Sequence, residues 1–243
     1  MLNKDVSKQE HRLFRLLSAR SLDLSRAALV CIDAQNVQHP EYGLGAWCRQ
    51  LGLHRTYRYY ANGIREALGV IREVQGTCRE VGVPVIHIRT ASLTADSHDT
   101  FSLGHVTEFR QVHGEDDFLS QIIADVEPQP GEPIVTKLAA GAFNSSPLDQ
   151  MLREMRIEDV ICCGFVTNGC VETTVRGAVD RGYRVFLVSD GVSAWSKGGH
   201  ERALDVMGRF FAVLMEGRDL CSLLRKIHAQ AVGRRGGTTV VQS

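Results

Sequence analysis

Six short apolar runs, each followed by a polar turn or a stretch with helical spacing, constrain this chain more than any other feature. The first is Ala27-Ala28-Leu29-Val30-Cys31-Ile32, unbroken and ending in Asp33. A strand with one wet face alternates apolar and polar residues, whereas an unbroken run belongs to a strand covered on both faces. The others are Val83 to Ile88, Ile134 to Thr136, Asp159 to Gly164, Arg184 to Ser189 and Phe210 to Met215. Pro84 stands near the start of its run, where a missing N–H is tolerated. Between the runs, Ile64, Leu68, Ile71 and Val74 recur at helical spacing from about Tyr57 to Val81, stopping near Gly82. Leu148, Leu152 and Met155 do the same after Pro147, and further helices are expected over Phe118–Val126, Cys170–Arg181, Gly198–Met207 and Leu220–Ala229. This alternation predicts an α/β fold: three α/β/α layers around a mainly parallel, about six-stranded Rossmann-like sheet with right-handed crossovers.

A chain of 243 residues suits one large domain, read here as residues 26–230. Residues 1–25 read as a polar extension and 231–243 as a loose tail. Residues 34–55, with Pro40, Gly43, Gly45 and Gly52, read as a loop. Residues 90–116 are polar and without a period, and a loop of that length in a compact domain is often functional. The formal net charge is zero, with 28 basic and 28 acidic residues, which argues against a nucleic-acid partner held by phosphate neutralisation. No apolar run approaches the roughly 20 residues of a membrane helix, and the N-terminus has no secretory apolar core. The seven cysteines are odd in number and form no CxxC, as expected of reduced thiols in a cytoplasm.

In parallel sheets, ligands sit beyond the carboxyl ends of the strands. Polar residues directly after apolar runs are therefore the first candidates: Asp33, Lys137 and the Gly164–Cys170 turn. Cys170 sits where a strand hands over to a helix. A helix N-terminus favours thiolate and presents N–H groups to an oxyanion. Cys31, Cys162 and Cys163 lie inside apolar runs and read as small buried hydrophobes. Taken singly, Lys137 reads equally as a snorkelling side chain and Asp33 as a turn former. Beside Cys170, a lysine would lower the thiol pKa, and a carboxylate would take its proton. His200 is the competing base, at the start of a helix where a surface or capping role also fits. His39, His87, His98, His105 and His113 form no HExxH or DxHxxH pattern, so no metal is expected.

Three stretches resemble the isochorismatase-like cysteine hydrolases: Leu29 to Ile32 followed by Asp33-Ala34-Gln35-Asn36; Ile134 to Lys137 with Gly141, Phe143, Asn144 and Pro147-Leu148-Asp149; and Gly164-Phe165-Val166-Thr167-Asn168-Gly169-Cys170-Val171-Glu172-Thr173-Thr174 with Arg176, Ala178, Asp180 and Gly182-Tyr183. The resemblance implies an Asp33–Lys137–Cys170 catalytic triad. It also implies a cis peptide at Phe165–Val166, with the Val166 and Cys170 amides forming an oxyanion hole. Gln35, Asn36, Phe143 and Asn168 are candidates to touch substrate. The metal-binding D-x-H motif of nicotinamidase-type members is not assigned in this chain, so no cofactor is implied. The Glu127–Glu132 and Phe143–Asp149 segments look most like the branch holding ureidoacrylate amidohydrolases, biuret hydrolases and N-carbamoylsarcosine amidases. Leu138-Ala139-Ala140 lacks the basic residue that branch places after the lysine. The implied reaction is hydrolysis of a C–N bond in a small amide, carbamoyl or ureido compound by a cytoplasmic homodimer or homotetramer. The rival readings are vinyl-ether hydrolysis with Asp33 as acid, and a non-catalytic binding role.

Overall fold

The computed structural model describes residues 22–96, 99–100 and 113–236. The expected extension up to residue 21, residues 97–98 and 101–112 of the long polar segment, and the tail beyond 236 lie outside them.

Six parallel strands form one sheet: β1 (Ala27–Ile32), β2 (Val85–Thr90), β3 (Ile134–Lys137), β4 (Asp159–Phe165), β5 (Arg184–Ser193) and β6 (Val213–Met215), in the order β3-β2-β1-β4-β5-β6. Among the described residues, six α-helices accompany them: α1 (Leu44–Gln50), α2 (His54–Glu80), α3 (Leu148–Glu154), α4 (Glu172–Asp180), α5 (Lys197–Phe210) and α6 (Gly217–Gly236). Every residue of β1 is buried, because the two-residue period of a strand sends alternate side chains into two different cores. Ala27, Leu29 and Cys31 meet α2 and α6, whose contributions include Ile64, Ile71 and Leu224. Ala28, Val30 and Ile32 meet α3, α4 and α5 through Leu152, Val175 and Met207. The fold is thus the expected three-layer α/β/α sandwich.

The long helix α2 forms because Tyr60, Ile64, Ala67, Leu68, Ile71, Val74 and Cys78 make one apolar stripe. It ends where Gly82 takes φ +77° and the Val83 amide bonds back to the Cys78 carbonyl at 2.8 Å, closing the last turn. Truncating Ile71, fully buried, to alanine would cost about 2–5 kcal/mol. No helix among the described residues is long and apolar enough to cross a membrane.

Three expectations needed correction. Residues 34–55 are not all loop: Leu44 and Cys48, one turn apart, are buried, and they fix α1 between flanking glycines. Phe118–Val126 is not a helix. It forms two single turns, because Gln121, Ile122 and Ile123 pair with the chain leaving β1: Asn36 N donates to Gln121 O at 2.8 Å, and Ile123 N to Ala34 O at 2.8 Å. Backbone groups committed to a ladder are not available to a helix. The last helix continues beyond Ala229 to Gly236.

Candidate active site

The sheet order reverses between β1 and β4, and the chain segments leaving these two strands diverge there. Gly164 lets them run close together. Its φ is +118°, and a Cβ there would stand 2.0 Å from the Ile32 carbonyl oxygen. The Phe165–Val166 peptide that follows is cis. A wide turn over Thr167–Val171 then leads into α4, with the Val166 carbonyl accepting from the amides of Gly169 at 3.0 Å and Val171 at 3.3 Å.

Asp33, directly after β1, is buried at φ +49°, and its amide still bonds across to the Ile88 carbonyl at 2.9 Å. Lys137, the last residue of β3, is wholly buried, so its ammonium does not snorkel. Its Nζ stands 2.9 Å from Asp33 Oδ2, 3.5 Å from Cys170 Sγ and 3.0 Å from the Ala139 carbonyl, and it donates to Thr90 Oγ1. Thr90, at the end of β2 and paired in register with Lys137, donates to Asp33 Oδ1 at 3.2 Å. Four segments leaving adjacent strands therefore meet around one ammonium. Cys170 is half-buried as a residue, and its thiol lies deep enough for burial to dominate its electrostatics.

The electrostatics correct one expectation. The Cys170 thiol is not acidified: burial pushes it up to about 12, and the Asp33 carboxylate adds to the rise, with Lys137 offsetting only part. Helix α4 begins at Glu172, beyond Cys170, so the sulfur does not lie inside its first turn. Burial and the Asp33 charge thus favour the protonated sulfur. Burial pulls the Lys137 ammonium down, but the Asp33 charge and the sulfur more than compensate, and its pKa ends raised.

Of the four residues offered for substrate contact, three turn out to hold the fold. Gln35 clasps Thr90 from both sides, accepting from its amide at 2.8 Å and donating to its carbonyl at 2.9 Å, and donates also to Ser120 O at 2.8 Å. Asn36 donates to Phe118 O at 2.8 Å. Phe143 is buried against Tyr183, under the Arg181 guanidinium. Asn168 alone is exposed. His200 lies within hydrogen-bond distance of Thr167 Oγ1, 2.9 Å from Nδ1, so it braces the nucleophile's turn; burial lowers its pKa. A cleft of about 870 Å³ opens beside it between α2 and the end of β5, lined by Arg55, Arg58, Asn62 and Ser193, and none of Asp33, Lys137 or Cys170 lines it. Among the described residues, no group of three or more His, Cys, Asp or Glu side chains could hold a metal ion.

Thr90 was the missed member of the cluster. The rule that selected Asp33 and Lys137 selects it too, once β2 is carried two residues past Ile88. The Ala139 carbonyl has no sequence signal.

An isochorismatase domain model matches residues 27–219, a span that holds Asp33, Lys137 and Cys170. The chain belongs to the isochorismatase family. Within this family it is 31% identical over 155 residues to nicotinamidase 3 of Arabidopsis thaliana, covering 61% of this chain and 73% of the relative. It is 24% identical over 186 residues to the ureidoacrylate amidohydrolase RutB of Azorhizobium caulinodans, covering 70% and 77%. A cysteine hydrolase from Pseudomonas syringae pv. phaseolicola shares the fold, with a TM-score of 0.74 at 23% identity over 85% of this chain and 96% of that one. The chain is thus an isochorismatase-family hydrolase.

Proposed function

We propose that the chain is a cysteine amidohydrolase that opens a C–N bond in a small amide, carbamoyl or ureido compound through a thioester on Cys170. One observation carries the reading: a single buried ammonium lies 2.9 Å from a carboxylate and 3.5 Å from a thiol. The amide-cleaving names of the two relatives above support the same class of bond.

The thiol proton moves to Asp33, and the sulfur attacks the carbonyl carbon. Because that proton passes from thiol to carboxylate inside the cluster, the cluster's total charge does not change, and Lys137 stays beside whichever of the two carries the negative charge. Lys137 then faces a thiolate in place of a carboxylate. The Val166 and Cys170 amides receive the oxyanion. On collapse the C–N bond breaks and Asp33 returns the proton to the leaving nitrogen, releasing ammonia or an amine. Water gives a proton to Asp33 and its oxygen to the thioester carbon. The acid departs, and the sulfur regains its proton.

The test is an ammonia-release screen over nicotinamide, carbamoyl amino acids and ureides, run beside Cys170→Ala and Cys170→Ser. The alanine variant should fold and bind without turnover; full activity in it overturns the reading. Activity that survives in the serine variant on a vinyl ether would move the chain to the rival chemistry.

A further inference from the structure

We propose that Thr90 is a positioning residue that holds Lys137 away from the sulfur and sets Asp33 for proton transfer. The inference rests on the cysteine reading above and adds a residue to it.

A lysine ammonium has three N–H donors. Four acceptors surround this one: Asp33 Oδ2, Thr90 Oγ1, the Ala139 carbonyl and Cys170 Sγ. At any moment one of them goes without a hydrogen, and the sulfur at 3.5 Å is the farthest. Thr90 therefore competes with Cys170 for Lys137. Its hydroxyl hydrogen is spent on Asp33 Oδ1, so the two carboxylate oxygens are held by different neighbours, Lys137 on one and Thr90 on the other. A carboxylate pinned at both oxygens cannot rotate freely about its last bond.

Thr90 is itself anchored. The Gln35 side chain bonds both its amide and its carbonyl, as a neighbouring strand would, and Gln35 is buried. The clasp fixes the Thr90 backbone, and the backbone fixes the hydroxyl. The ionisable groups that act on Cys170 are Asp33 and Lys137, both of which Thr90 touches.

This arrangement gives the Thr90→Val variant an unusual signature. Valine keeps the branched shape and removes both hydrogen bonds. The released N–H of Lys137 turns to the sulfur and favours thiolate. One charge-assisted hydrogen bond is worth roughly tenfold in ionisation, cut to about threefold in rate because a more acidic thiol is a weaker nucleophile. Iodoacetamide labelling of Cys170, followed by intact mass at fixed pH, should thus run about threefold faster. Turnover should fall by about tenfold or more, mainly in kcat, because Asp33 is no longer held for proton transfer. Thr90→Ser keeps the hydroxyl and should restore both rates; a mere packing role would make serine the worse substitute and would slow both reactions together. Labelling no faster in Thr90→Val than in the wild type overturns the proposal, as does a serine variant that behaves like valine. The labelling arm needs no substrate, so it stands apart from the screen. If Cys170→Ala is inactive and Thr90→Val labels at the wild-type rate, the role of Thr90 falls alone. If Cys170→Ala turns over, both readings fall.

Discussion

Two ionic clusters, one half-buried and one buried, sit near opposite ends of the same strands, and they are built to opposite purposes. Toward the amino end, Glu132 takes a two-pronged grip from Arg79, at 2.8 Å on each oxygen, a bond from the Gln129 amide at 2.8 Å and a contact with His87 Nε2 at 3.2 Å. At the carboxyl end, one lysine is shared among a carboxylate, a hydroxyl, a carbonyl and a thiol. The first cluster fills the acceptor sites of its carboxylate with four contacts, and Glu132 is lowered to about 2 against burial, which opposes the shift, chiefly by Arg79 and the Gln129 amide. The second gives one ammonium four acceptors for its three N–H donors, and burial, with Asp33 beside it, drives its thiol up to about 12. A saturated cluster stabilises one protonation state and does nothing further. An undersupplied one keeps a proton that can move, and this is what general acid–base chemistry requires. Buried charge alone therefore does not mark a site; the balance of donors and acceptors does.

The largest expected effect tests the carboxyl end. Lys137→Met should cut turnover by about 10³-fold or more in steady-state assays, since the sulfur loses its only cationic neighbour in the cluster. A rate within about tenfold of wild type would break the contrast. Gly164→Ala should cost more than about 3 kcal/mol in urea unfolding, because a Cβ has no room beside the Ile32 carbonyl at φ +118°. At the amino end, Glu132→Gln should leave kcat unchanged and cost about 1–2 kcal/mol of stability through loosened hydrogen bonds. Its pH signature sharpens the comparison. The folded Glu132 pKa lies below the ordinary carboxylate value of 4.5, so its contribution is complete above that value and disappears as pH falls toward about 2. His87, whose pKa burial lowers, acts in the same direction. Thermal melts between pH 5 and about 2 should therefore show a steeper acid loss in wild type than in the glutamine variant. Equal slopes would remove Glu132 from the account. The smallest rate change is in the labelling of Asp33→Asn: without the carboxylate that raises the thiol, Cys170 should react a few-fold faster with iodoacetamide. Slower labelling would show that Asp33 activates the sulfur at rest.

The strands were legible because each is built on a short apolar run; their order and register came from the structure. Residues 118–126 were misread because their backbone pairs with a segment some 85 residues earlier, which local spacing does not report. Gln35, Asn36 and Phe143 carry the right chemistry for a ligand, but their hydrogen bonds or packing turn them to holding the chain.

The one-dimensional pattern was enough to determine the layered parallel sheet and to nominate Asp33, Lys137 and Cys170. Each stands where an apolar run stops, and in a parallel sheet those stops gather along one edge. Only the tertiary structure decided who shares the ammonium, that Thr90 joins the cluster, and that the thiol is raised instead of lowered. These depend on distances of a few ångströms between strands and on the burial that amplifies every charge among them, and neither is written in the order of residues along the chain.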